Sequence, residues 1–560
     1  MRFFRLALAY LTLLPVSQLA AESVPIRAKS GMVVCQSEIA SEVGVQILRQ
    51  GGTAIDAAVA TAFTMAVTHP AAGNIGGGGF IIYRPSTGVA AAYDFREMAP
   101  DKSDAEMWLV DGKYDRKLHH HSHLAVGVPG TVAGLHLAWT EQGRLPWDQL
   151  LTSAIHLADK GFVVSDGLAR SLKSALPRMR PYPASIAQFT KDGQAYEAGD
   201  LLRQPDLADT LRRIAQLGPA GFYEGKTAEL IAAEMRAHNG IITKADLKQY
   251  VALRRTPVKG TYRQYQILSM PPPSSGGVAL IQMLNLLEGF DLTKSGFGSA
   301  QTLHLCAESM KRAFADRARY LGDPEANPDI PLTKLLSKSY ATDLRESIEM
   351  NQAAVSSPNS FQWATESEET THISVVDQDR NAVALTYTLE YPYGSAIVVP
   401  GAGFLLNNEM GDFNPAPGLT TESGLIGTAP NLAAPRKRML SSMTPTIVTK
   451  NDQLAMVTGS PGGRTIINTV LQTILNVVDH AMNAQEAVDA PRIHHQWLPD
   501  TLNHEQLFSP DTLQLLRQKG HVLRTRDPQG AAQVIVLDPK ENLLEGGTDR
   551  RVPDGAAIGY

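Results

Sequence analysis

A pair of adjacent strand-like segments lies in the second half of this 560-residue chain. Thr371–Val376 and Ala382–Thr388 are rich in β-branched and apolar residues, and a polar turn at residues 378–380 separates them. The pattern predicts an antiparallel hairpin. Pairing outward from the turn places Thr370 opposite Thr388, with their Cβ atoms about 5 Å apart. The sequence therefore predicts two neighbouring threonine hydroxyls at the open end of this hairpin.

The rest of the chain mixes predicted helices with predicted strands. Ser37–Thr68 has a helical pattern broken at Gly51–Gly52, and residues 130 to 350 are expected to be mainly helical. Other predicted elements are strands at Phe80–Tyr83, Val89–Phe95, Tyr265–Met270, Thr446–Thr449, Leu454–Val457 and Gln533–Leu537, and helices at Val278–Leu287 and Thr465–Val478. Strands mixed with buried helices indicate a layered α/β or α+β architecture.

The composition is that of a globular protein, with 43% hydrophobic and 19% charged residues. The net charge of −5 gives no basic excess that would favour nucleic acid or an anionic membrane surface as a partner. Only Cys35 and Cys306 are present, which excludes a disulfide scaffold and a four-cysteine zinc site. Whether these two cysteines pair is left open.

The N-terminus has the three-part pattern of a secretory signal. Arg2 and Arg5 precede the apolar run Leu6–Val16, and small residues follow up to Ala20 and Ala21, where cleavage is expected. The apolar run is shorter than the ~20 residues of a membrane-spanning helix. We therefore expect a secreted, periplasmic protein with a signal at residues 1–21; an uncut signal anchor and a buried N-terminal helix are the alternatives.

The segment before the hairpin indicates where chemistry takes place. Gln352–Thr370 is polar and acidic, as an exposed linker would be. A threonine hydroxyl needs a base beside it, and an N-terminal threonine supplies its own α-amino group, whose pKa is near 8. That amine is free only if the Glu369–Thr370 bond is cut. The sequence thus predicts self-cleavage at this bond, with Thr388 orienting the new nucleophile.

A second feature fits an oxyanion site. Gly462 and Gly463 come just before the predicted helix Thr465–Val478, where free backbone N–H groups and the positive end of the helix dipole converge. An ordinary tight turn at Pro461 is the alternative interpretation of the same residues.

Several motifs resemble, in consistent order from about Ile26 to Tyr560, those of the γ-glutamyltransferase family. They are GNIGGGGF at Gly73–Phe80, DFREMAP at Asp94–Pro100, PPPSSGG at Pro271–Gly277, DR at Asp316–Arg317, YLGDP at Tyr320–Pro324, TTHISVVD at Thr370–Asp377, LNNEMGDF at Leu406–Phe413, LSSMTPT at Leu440–Thr446, GSPGG at Gly459–Gly463 and the final GY. Motifs of five or more residues in register make chance agreement negligible.

The resemblance implies an N-terminal nucleophile hydrolase. Its fold would be α+β, a four-layer αββα sandwich formed jointly by two subunits of one self-cleaved precursor. The large subunit would span residues 22–369 and the small, catalytic subunit residues 370–560. The two would remain together as a heterodimer, and no metal or organic cofactor is implied.

The resemblance also implies the roles of individual residues. Thr370 matches the nucleophile, Thr388 its hydroxyl partner, and Gly462 and Gly463 the oxyanion hole. The other matching residues are Arg96, Ser441 and Ser442 for the substrate α-carboxylate, and Glu409 and Asp412 for its α-amino group. A cation and hydroxyls suit a carboxylate, and two acids suit an ammonium. The implied substrates are glutathione and other γ-glutamyl compounds, with water, amino acids or peptides as acceptors.

The chain departs from the family at two places. Glu390 stands where many members have Asn, and its carboxylate would either meet the substrate ammonium or repel the α-carboxylate. Because like charges in one site raise at least one pKa, we expect one of Glu390, Glu409 and Asp412 to be protonated or to face solvent, most readily Glu390. The lid segment Gly418–Gly424 lacks the Tyr of some bacterial members.

Two other functions remain open. One is a glutaryl-cephalosporin-acylase-like amidase of the same fold, which would have no substrate ammonium to bind; the presence of both Glu409 and Asp412 favours the γ-glutamyl reading. The other is an uncleaved periplasmic binding protein, against which Thr370, Thr388 and the paired glycines argue.

Some residues are interpreted as structural. Four histidines, His119, His120, His121 and His123, would suit a metal but are expected to form an exposed polar loop with no carboxylate beside it. The glycines Gly76–Gly79 are interpreted as a site of close backbone packing. His494 and His495 are expected to be hydrogen-bonded structural histidines, and Asp316 and Arg317 to form an ion pair.

Overall fold

The computed structural model describes residues 23–357, 370–419, 421–423 and 425–560. The predicted signal, Glu369 and part of the lid segment lie outside these residues. The strands are β1 (Ile26–Ala28), β2 (Met32–Cys35), β3 (Gly78–Arg84), β4 (Ala91–Phe95), β5 (Leu109–Val110), β6 (Lys113–Tyr114), β7 (Phe162–Val163), β8 (Thr190–Lys191), β9 (Gln194–Ala195), β10 (Leu201–Leu202), β11 (Leu253–Arg255), β12 (Val258–Tyr262), β13 (Tyr265–Ser269), β14 (Thr371–Val376), β15 (Ala382–Thr388), β16 (Thr446–Lys450), β17 (Gln453–Gly459), β18 (Ile493–His494), β19 (Leu502–His504), β20 (Leu523–Thr525), β21 (Gln533–Asp538), β22 (Leu543–Thr548) and β23 (Ala556–Gly559).

Of the helices in the described residues, sixteen lie before residue 350 and three follow β17. They are α1 (Glu38–Arg49), α2 (Ala54–Thr68), α3 (Arg116–His120), α4 (Thr131–Gln142), α5 (Trp147–Lys160), α6 (Asp166–Met179), α7 (Pro183–Phe189), α8 (Pro205–Leu217), α9 (Ala220–Tyr223), α10 (Gly225–Ala237), α11 (Lys244–Gln249), α12 (Gly276–Leu287), α13 (Leu292–Ser295), α14 (Ala300–Tyr320), α15 (Leu332–Leu335), α16 (Lys338–Glu346), α17 (Thr465–Val478), α18 (Ala484–Asp489) and α19 (Pro510–Gln518). Within the described part of the chain, none of them combines the length and apolar character needed to span a membrane.

Two seven-stranded antiparallel sheets form the centre of the molecule. The first has the strand order β11-β4-β3-β15-β14-β2-β23, and the second has the order β1-β22-β21-β17-β16-β13-β12. The hairpin β14–β15 is central in the first sheet, between β2 and β3. A strand buried on both faces needs no polar face, which explains the nearly continuous apolar pattern of the hairpin.

The two sheets stack face to face with helices outside each of them. One face of the first sheet, including Ile373 and Leu385, packs in one core with α1, α2, α4 and α5. Its opposite face, including Ala384, packs in a second core with the other sheet, and α12, α14 and α17 cover that sheet from outside. The expected four-layer αββα sandwich is therefore confirmed.

The predicted hairpin register is confirmed. Thr371 pairs with Tyr387, Ile373 with Leu385 and Val375 with Val383. Continuing this register by one residue sets Thr370 opposite Thr388.

Other local predictions are confirmed or extended. The helix break at Gly51–Gly52 separates α1 from α2, whose first turn is closed by a reciprocal Thr53–Asp56 capping box. Sequence reasoning missed β2, β12, β22 and β23, which are short or contain glycine and charged residues. Cys35 and Cys306 are both buried free thiols.

Candidate active site

The predicted site residues come together around one small cavity between the two sheets. The residues that line it are Arg96, Thr370, Thr388, Glu390, Glu409, Asp412, Ser441, Ser442, Met443, Gly463 and Ile466. Of the predicted catalytic and substrate-binding residues, Gly462 alone is not in this set; it lines the adjoining cleft together with Pro461 and Thr465.

The two threonines lie at the open end of the central hairpin. Both are almost fully buried, and Thr370 directly precedes β14. The Thr388 hydroxyl accepts a hydrogen bond from the Glu390 backbone N–H at 2.8 Å, and the Thr388 carbonyl accepts one from Asn74 Nδ2 at 2.9 Å. The second threonine is therefore held by both its backbone and its side chain.

The glycine run of β3 permits strand pairing at this point. A Cβ on Gly77 would lie 2.0 Å from the Thr388 carbonyl oxygen, and one on Gly79 would lie 2.4 Å from the Thr386 oxygen. The interpretation of Gly76–Gly79 as close backbone packing is confirmed.

Arg96 is fully buried and forms an ion-pair cluster at one end of the cavity. Its Nη1 donates to Glu409 Oε1 and its Nη2 to Asp412 Oδ2. Burial alone would lower the pKa of Arg96, but these carboxylates raise it, so the guanidinium stays charged. The cation predicted for the substrate α-carboxylate and the two acids predicted for its α-amino group are thus paired with one another.

Glu97 is a fourth buried carboxylate of the site that sequence reasoning missed. It is fully buried, and its Oε2 lies 3.5 Å from Arg96 Nη1. Burial raises the pKa of Glu97 to about 8, although the Arg96 charge opposes the shift. The sequence signal was available, because Glu97 directly follows Arg96 in the DFREMAP motif.

Two of these acids, Glu409 and Asp412, belong to a single 3₁₀ turn, Glu409–Asp412. Asn407 fixes its start, because its Oδ1 accepts from the Glu409 N–H at 3.0 Å and from the Gly127 N–H at 2.9 Å. Burial raises the pKa of Glu409 well above its usual range, and the charges of Glu97 and Glu390 add to the shift. Burial therefore favours the protonated form of Glu409, as it does for Glu97.

The segment around Ser441 and Ser442 also lines the cavity. The preceding carbonyls of Met439 and Leu440 accept from Arg96 Nε at 3.3 Å and Nη2 at 3.4 Å. Ser441 lies beside the predicted loop at the start of α12, where its carbonyl accepts from the Ser275 N–H at 2.7 Å. The segment therefore links the arginine to the helix layer behind the site.

Arg317 reaches the site from α14. Its Nη2 donates to Ser442 Oγ at 3.1 Å and its Nε to Ser275 Oγ at 2.8 Å. Asp316 instead accepts from Gln282 Nε2 at 2.5 Å and from the Tyr340 hydroxyl at 2.8 Å. Adjacent residues of a helix are about 100° apart, which explains why Asp316 and Arg317 have different neighbours. The ion pair expected for them stays a prediction.

Gly462 and Gly463 form the connection from β17 to α17. Both have positive φ, 126° and 52°, the region that favours glycine. Their carbonyls accept from the N–H groups of Thr465 and Ile466 at 3.0 and 3.1 Å, which starts the helix. The arrangement is the tight turn that was the alternative interpretation, and it also sets Gly463 on the cavity wall. The oxyanion role of the two glycines stays a prediction.

Glu390 is buried and lines the cavity, so of the two alternatives expected for it, a protonated acid or a solvent-facing one, the solvent-facing one is wrong. Its Oε1 lies 3.1 Å from Nδ1 of His120. His119 is also buried; its Nδ1 lies 3.0 Å from the Tyr114 hydroxyl and its Nε2 3.0 Å from the Met410 carbonyl oxygen. The expectation of an exposed histidine loop without a carboxylate is therefore also wrong, because the segment packs behind the site.

His123 also has a carboxylate beside it. His123, Glu234 and His238 converge closely enough to hold a metal ion, and Glu234 Oε1 lies 2.9 Å from His123 Nε2 and 3.1 Å from His238 Nδ1. These contacts are also those of one carboxylate shared by two imidazole N–H groups. A second such group comprises His304, Glu308 and His521, but Lys311 and Arg312 pair with Glu308 there.

The paired histidines near the C-terminal region are structural, as predicted. His494 Nδ1 is 2.7 Å from Asn468 Nδ2, and His495 Nε2 is 3.1 Å from Asp500 Oδ1. Both are buried, and burial lowers both pKa values.

Known proteins match this chain along nearly its whole length. The family model for γ-glutamyltranspeptidase matches residues 40–559. The glutathione hydrolase proenzyme of Escherichia coli is 48% identical over 553 residues, covering 98% of this chain and 95% of that protein.

Solved structures agree with the sequence comparison. The cephalosporin acylase from Bacillus halodurans superposes with a TM-score of 0.85 at 29% identity, covering 98% of this chain and 99% of that one. The γ-glutamyltranspeptidase of Helicobacter pylori superposes with a TM-score of 0.56 at 45% identity, covering 57% of this chain and 91% of that one. The sequence match and the αββα fold agree, and the chain belongs to the γ-glutamyltranspeptidase family.

Proposed function

We propose that this chain is a secreted, self-processing enzyme that breaks the γ-glutamyl amide bond of glutathione and related compounds. The observation that carries the proposal is the convergence of a threonine, a buried arginine and two acids on one cavity. A γ-glutamyl group presents a carboxylate and an ammonium on one carbon, which is the pair of charges that this set complements. Membership of the γ-glutamyltranspeptidase family supports cleavage of a γ-glutamyl amide bond as the class of reaction.

Processing comes first. The Thr370 hydroxyl attacks the Glu369 carbonyl carbon, and the peptide bond is replaced by an ester to the Thr370 oxygen. Water then hydrolyses the ester, leaving the Glu369 carboxylate and a free Thr370 α-amino group. The products are a large subunit of residues 22–369, after removal of a signal at residues 1–21, and a small subunit of residues 370–560.

Turnover uses the new amine as the base. The α-amino group of Thr370 takes the hydroxyl proton while the oxygen attacks the γ-carbonyl carbon of the substrate. The N–H groups of Gly462 and Gly463 stabilise the oxyanion, and Thr388 orients the attacking hydroxyl. The proton passes to the leaving amine, and water or the amine of an amino acid or peptide then takes the γ-glutamyl group from the ester.

Different residues bind the α-carboxylate and the α-ammonium of the substrate. Arg96, Ser441 and Ser442 bind the α-carboxylate, with Arg317 holding the Ser442 hydroxyl, while Asp412 and Glu409 bind the α-ammonium. The ion pairs of Arg96 with these acids keep the charges compensated before the zwitterion enters. A buried ion pair exchanged for another avoids the large penalty of an uncompensated charge.

A glutaryl amidase is the second candidate, favoured by the structural match to a cephalosporin acylase. A glutaryl group has the same carboxylate and carbonyl but lacks the amino group. Glu409 and Asp412 would then have no ammonium to bind.

Mass spectrometry of the mature protein combined with turnover assays tests the proposal. We expect two chains, the smaller beginning at Thr370, and release of Cys-Gly from glutathione. Thr370→Ala should remain a single chain, because the attacking oxygen is gone. A wild-type protein that stays uncut, or a Thr370→Ala variant that still splits before residue 370, would contradict it.

A further inference from the structure

Glu390 has a specific partner in the structure. Glu390 follows the second threonine by two positions and has a positive φ of 78°, which is unusual for a residue with a side chain. Its backbone N–H donates to Thr388 Oγ1 at 2.8 Å. The backbone of Glu390 is therefore held by Thr388, the residue that lies opposite Thr370.

His120 fixes the other end of this side chain. The imidazole Nδ1 lies 3.1 Å from Glu390 Oε1, and both side chains are buried. The His120 ring stacks on Tyr391, with centroids 5.6 Å apart and planes 27° from parallel. Asn408 ties both segments, because its Nδ2 donates to the His120 carbonyl at 3.2 Å and its Oδ1 accepts from the Tyr391 N–H at 3.1 Å.

The pair packs directly against the turn that carries the other two acids. A Cβ on Gly411 would lie 2.4 Å from His120 Nδ1 and 2.6 Å from both Glu390 carboxylate oxygens. Only glycine between Glu409 and Asp412 leaves room for this contact. The His120–Glu390 pair and the acidic turn thus form one packed unit.

Among the described acids that line the cavity, Arg96 pairs with some but not with Glu390. Within the described residues, Arg96 forms ion pairs with Glu97, Glu409 and Asp412 but none with Glu390. An ammonium group has three N–H donors and is best satisfied by three acceptors. Glu390 packs against the turn that carries Glu409 and Asp412 but is not itself paired with the guanidinium.

We propose that His120 is a positioning residue that holds the Glu390 carboxylate as a third acceptor for the substrate α-ammonium. The neutral imidazole donates its Nδ1 proton to Glu390 Oε1 and keeps the acid from turning toward the α-carboxylate. Burial, together with the charge of Arg116, lowers the pKa of His120 to about 4, consistent with a neutral donor at physiological pH. The inference rests on the proposed γ-glutamyl specificity and adds a specificity determinant from the histidine segment.

Kinetics of paired variants on matched substrates test this role. His120→Phe keeps the ring stack on Tyr391 but removes the donor, while His120→Asn keeps an N–H close to the position of Nδ1. We expect His120→Phe to raise KM for γ-glutamyl-p-nitroanilide about tenfold with kcat within about twofold, because a hydrogen bond to a charged group that binds the ground state is lost. His120→Asn should recover most of the loss.

Three controls decide the outcome. In a Glu390→Asn background, His120→Phe should have almost no further effect, since its partner is already neutral. Glutaryl-p-nitroanilide, which lacks the amino group, should be turned over equally by the wild type and His120→Phe. His121→Ala, a change in the neighbouring histidine, which also stacks on Tyr391, should behave as the wild type.

Additive losses in the Glu390→Asn background, equal losses on both substrates, or no loss in His120→Phe would each overturn the proposal. A wild-type enzyme that ignores γ-glutamyl-p-nitroanilide but cleaves the glutaryl amide would instead overturn the proposed function, so the two failures are distinguishable. Gel analysis of processing and a thermal melt for each variant confirm that folded, mature enzymes are compared.

Discussion

Arg96 is the residue on which the charges of the site converge, since Glu97, Glu409 and Asp412 all lie within ion-pair distance of it. Three acids surround one buried cation, and burial favours the protonated forms of Glu97 and Glu409. Replacing Glu97 or Asp412 by its amide should therefore have a different effect in each case.

Asp412→Asn tests whether Asp412 reads the amino group. We expect kcat/KM for γ-glutamyl-p-nitroanilide to fall about 10- to 100-fold, because a charge-assisted hydrogen bond is worth roughly 1.5–3 kcal/mol. The glutaryl amide should lose much less, since it has no ammonium. Arg96→Lys is the matched control: it disturbs the carboxylate contact common to both substrates and should impair both. Equal losses on the two substrates for Asp412→Asn would favour the glutaryl amidase.

Glu97→Gln tests a linkage between stability and pH. The pKa of Glu97 is raised to about 8 by burial, so the folded protein retains a proton that the unfolded chain releases near its ordinary pKa of 4.5. The unfolded state then binds fewer protons, and stability should fall as pH rises from about 4.5 toward 8.

Thermal melts of the wild type and Glu97→Gln at pH 6 and pH 8.5 measure this linkage. The wild-type melting temperature should fall between the two values by more than that of the variant, because glutamine cannot ionise. Parallel shifts in both proteins would show that Glu97 does not contribute to the pH dependence.

At the scale of elements, the hairpin β14–β15 was predictable and much of the surrounding site was not. The two strands have a short turn and local pairing, so counting outward from residues 378–380 gave the register. The Arg96–Asp412 ion pair joins residues 316 positions apart, and no local pattern encodes which acids surround the guanidinium. The His120–Glu390 contact was hidden for the same reason.

Short sheet strands were missed because burial, and not propensity, makes them strands. Strand β22 contains Glu545, Gly546 and Gly547, yet it pairs with both β1 and β21. The strand β23 ends the chain beside β2. Tertiary pairing overrides weak local preference at such positions.

Gly77→Ala tests the coupling of β3 to the threonine. The added Cβ would lie 2.0 Å from the Thr388 carbonyl oxygen, a backbone atom that cannot move without shifting β15. We expect destabilisation of about 1–3 kcal/mol, as for overpacking in a core, and slower processing because Thr388 moves relative to Thr370. Val89→Ala, at an exposed position between β3 and β4, is the control and should process normally. Normal processing and stability in Gly77→Ala would show that this contact is not needed.

At the scale of the whole molecule, the proposed cut at Thr370 would divide both sheets between two chains. In the first sheet, β14, β15 and β23 would belong to the small subunit and β2, β3, β4 and β11 to the large one. In the second sheet, the small subunit would contribute the central strands β16, β17, β21 and β22. The large subunit would contribute β1 on one side of them and β13 and β12 on the other. The subunits would therefore share hydrogen-bond ladders and both apolar cores.

Because the two chains share both sheets, they should stay together after processing. After processing, the two chains should elute as one species on size exclusion under native conditions and separate on a denaturing gel. In a urea titration, dissociation and loss of secondary structure should coincide, because neither chain retains a complete sheet once its partner leaves. The uncut Thr370→Ala chain is the control, since it unfolds with the same contacts but cannot dissociate. A small subunit that leaves at urea concentrations where circular dichroism is still native would show that each chain folds independently, contrary to the shared sheets.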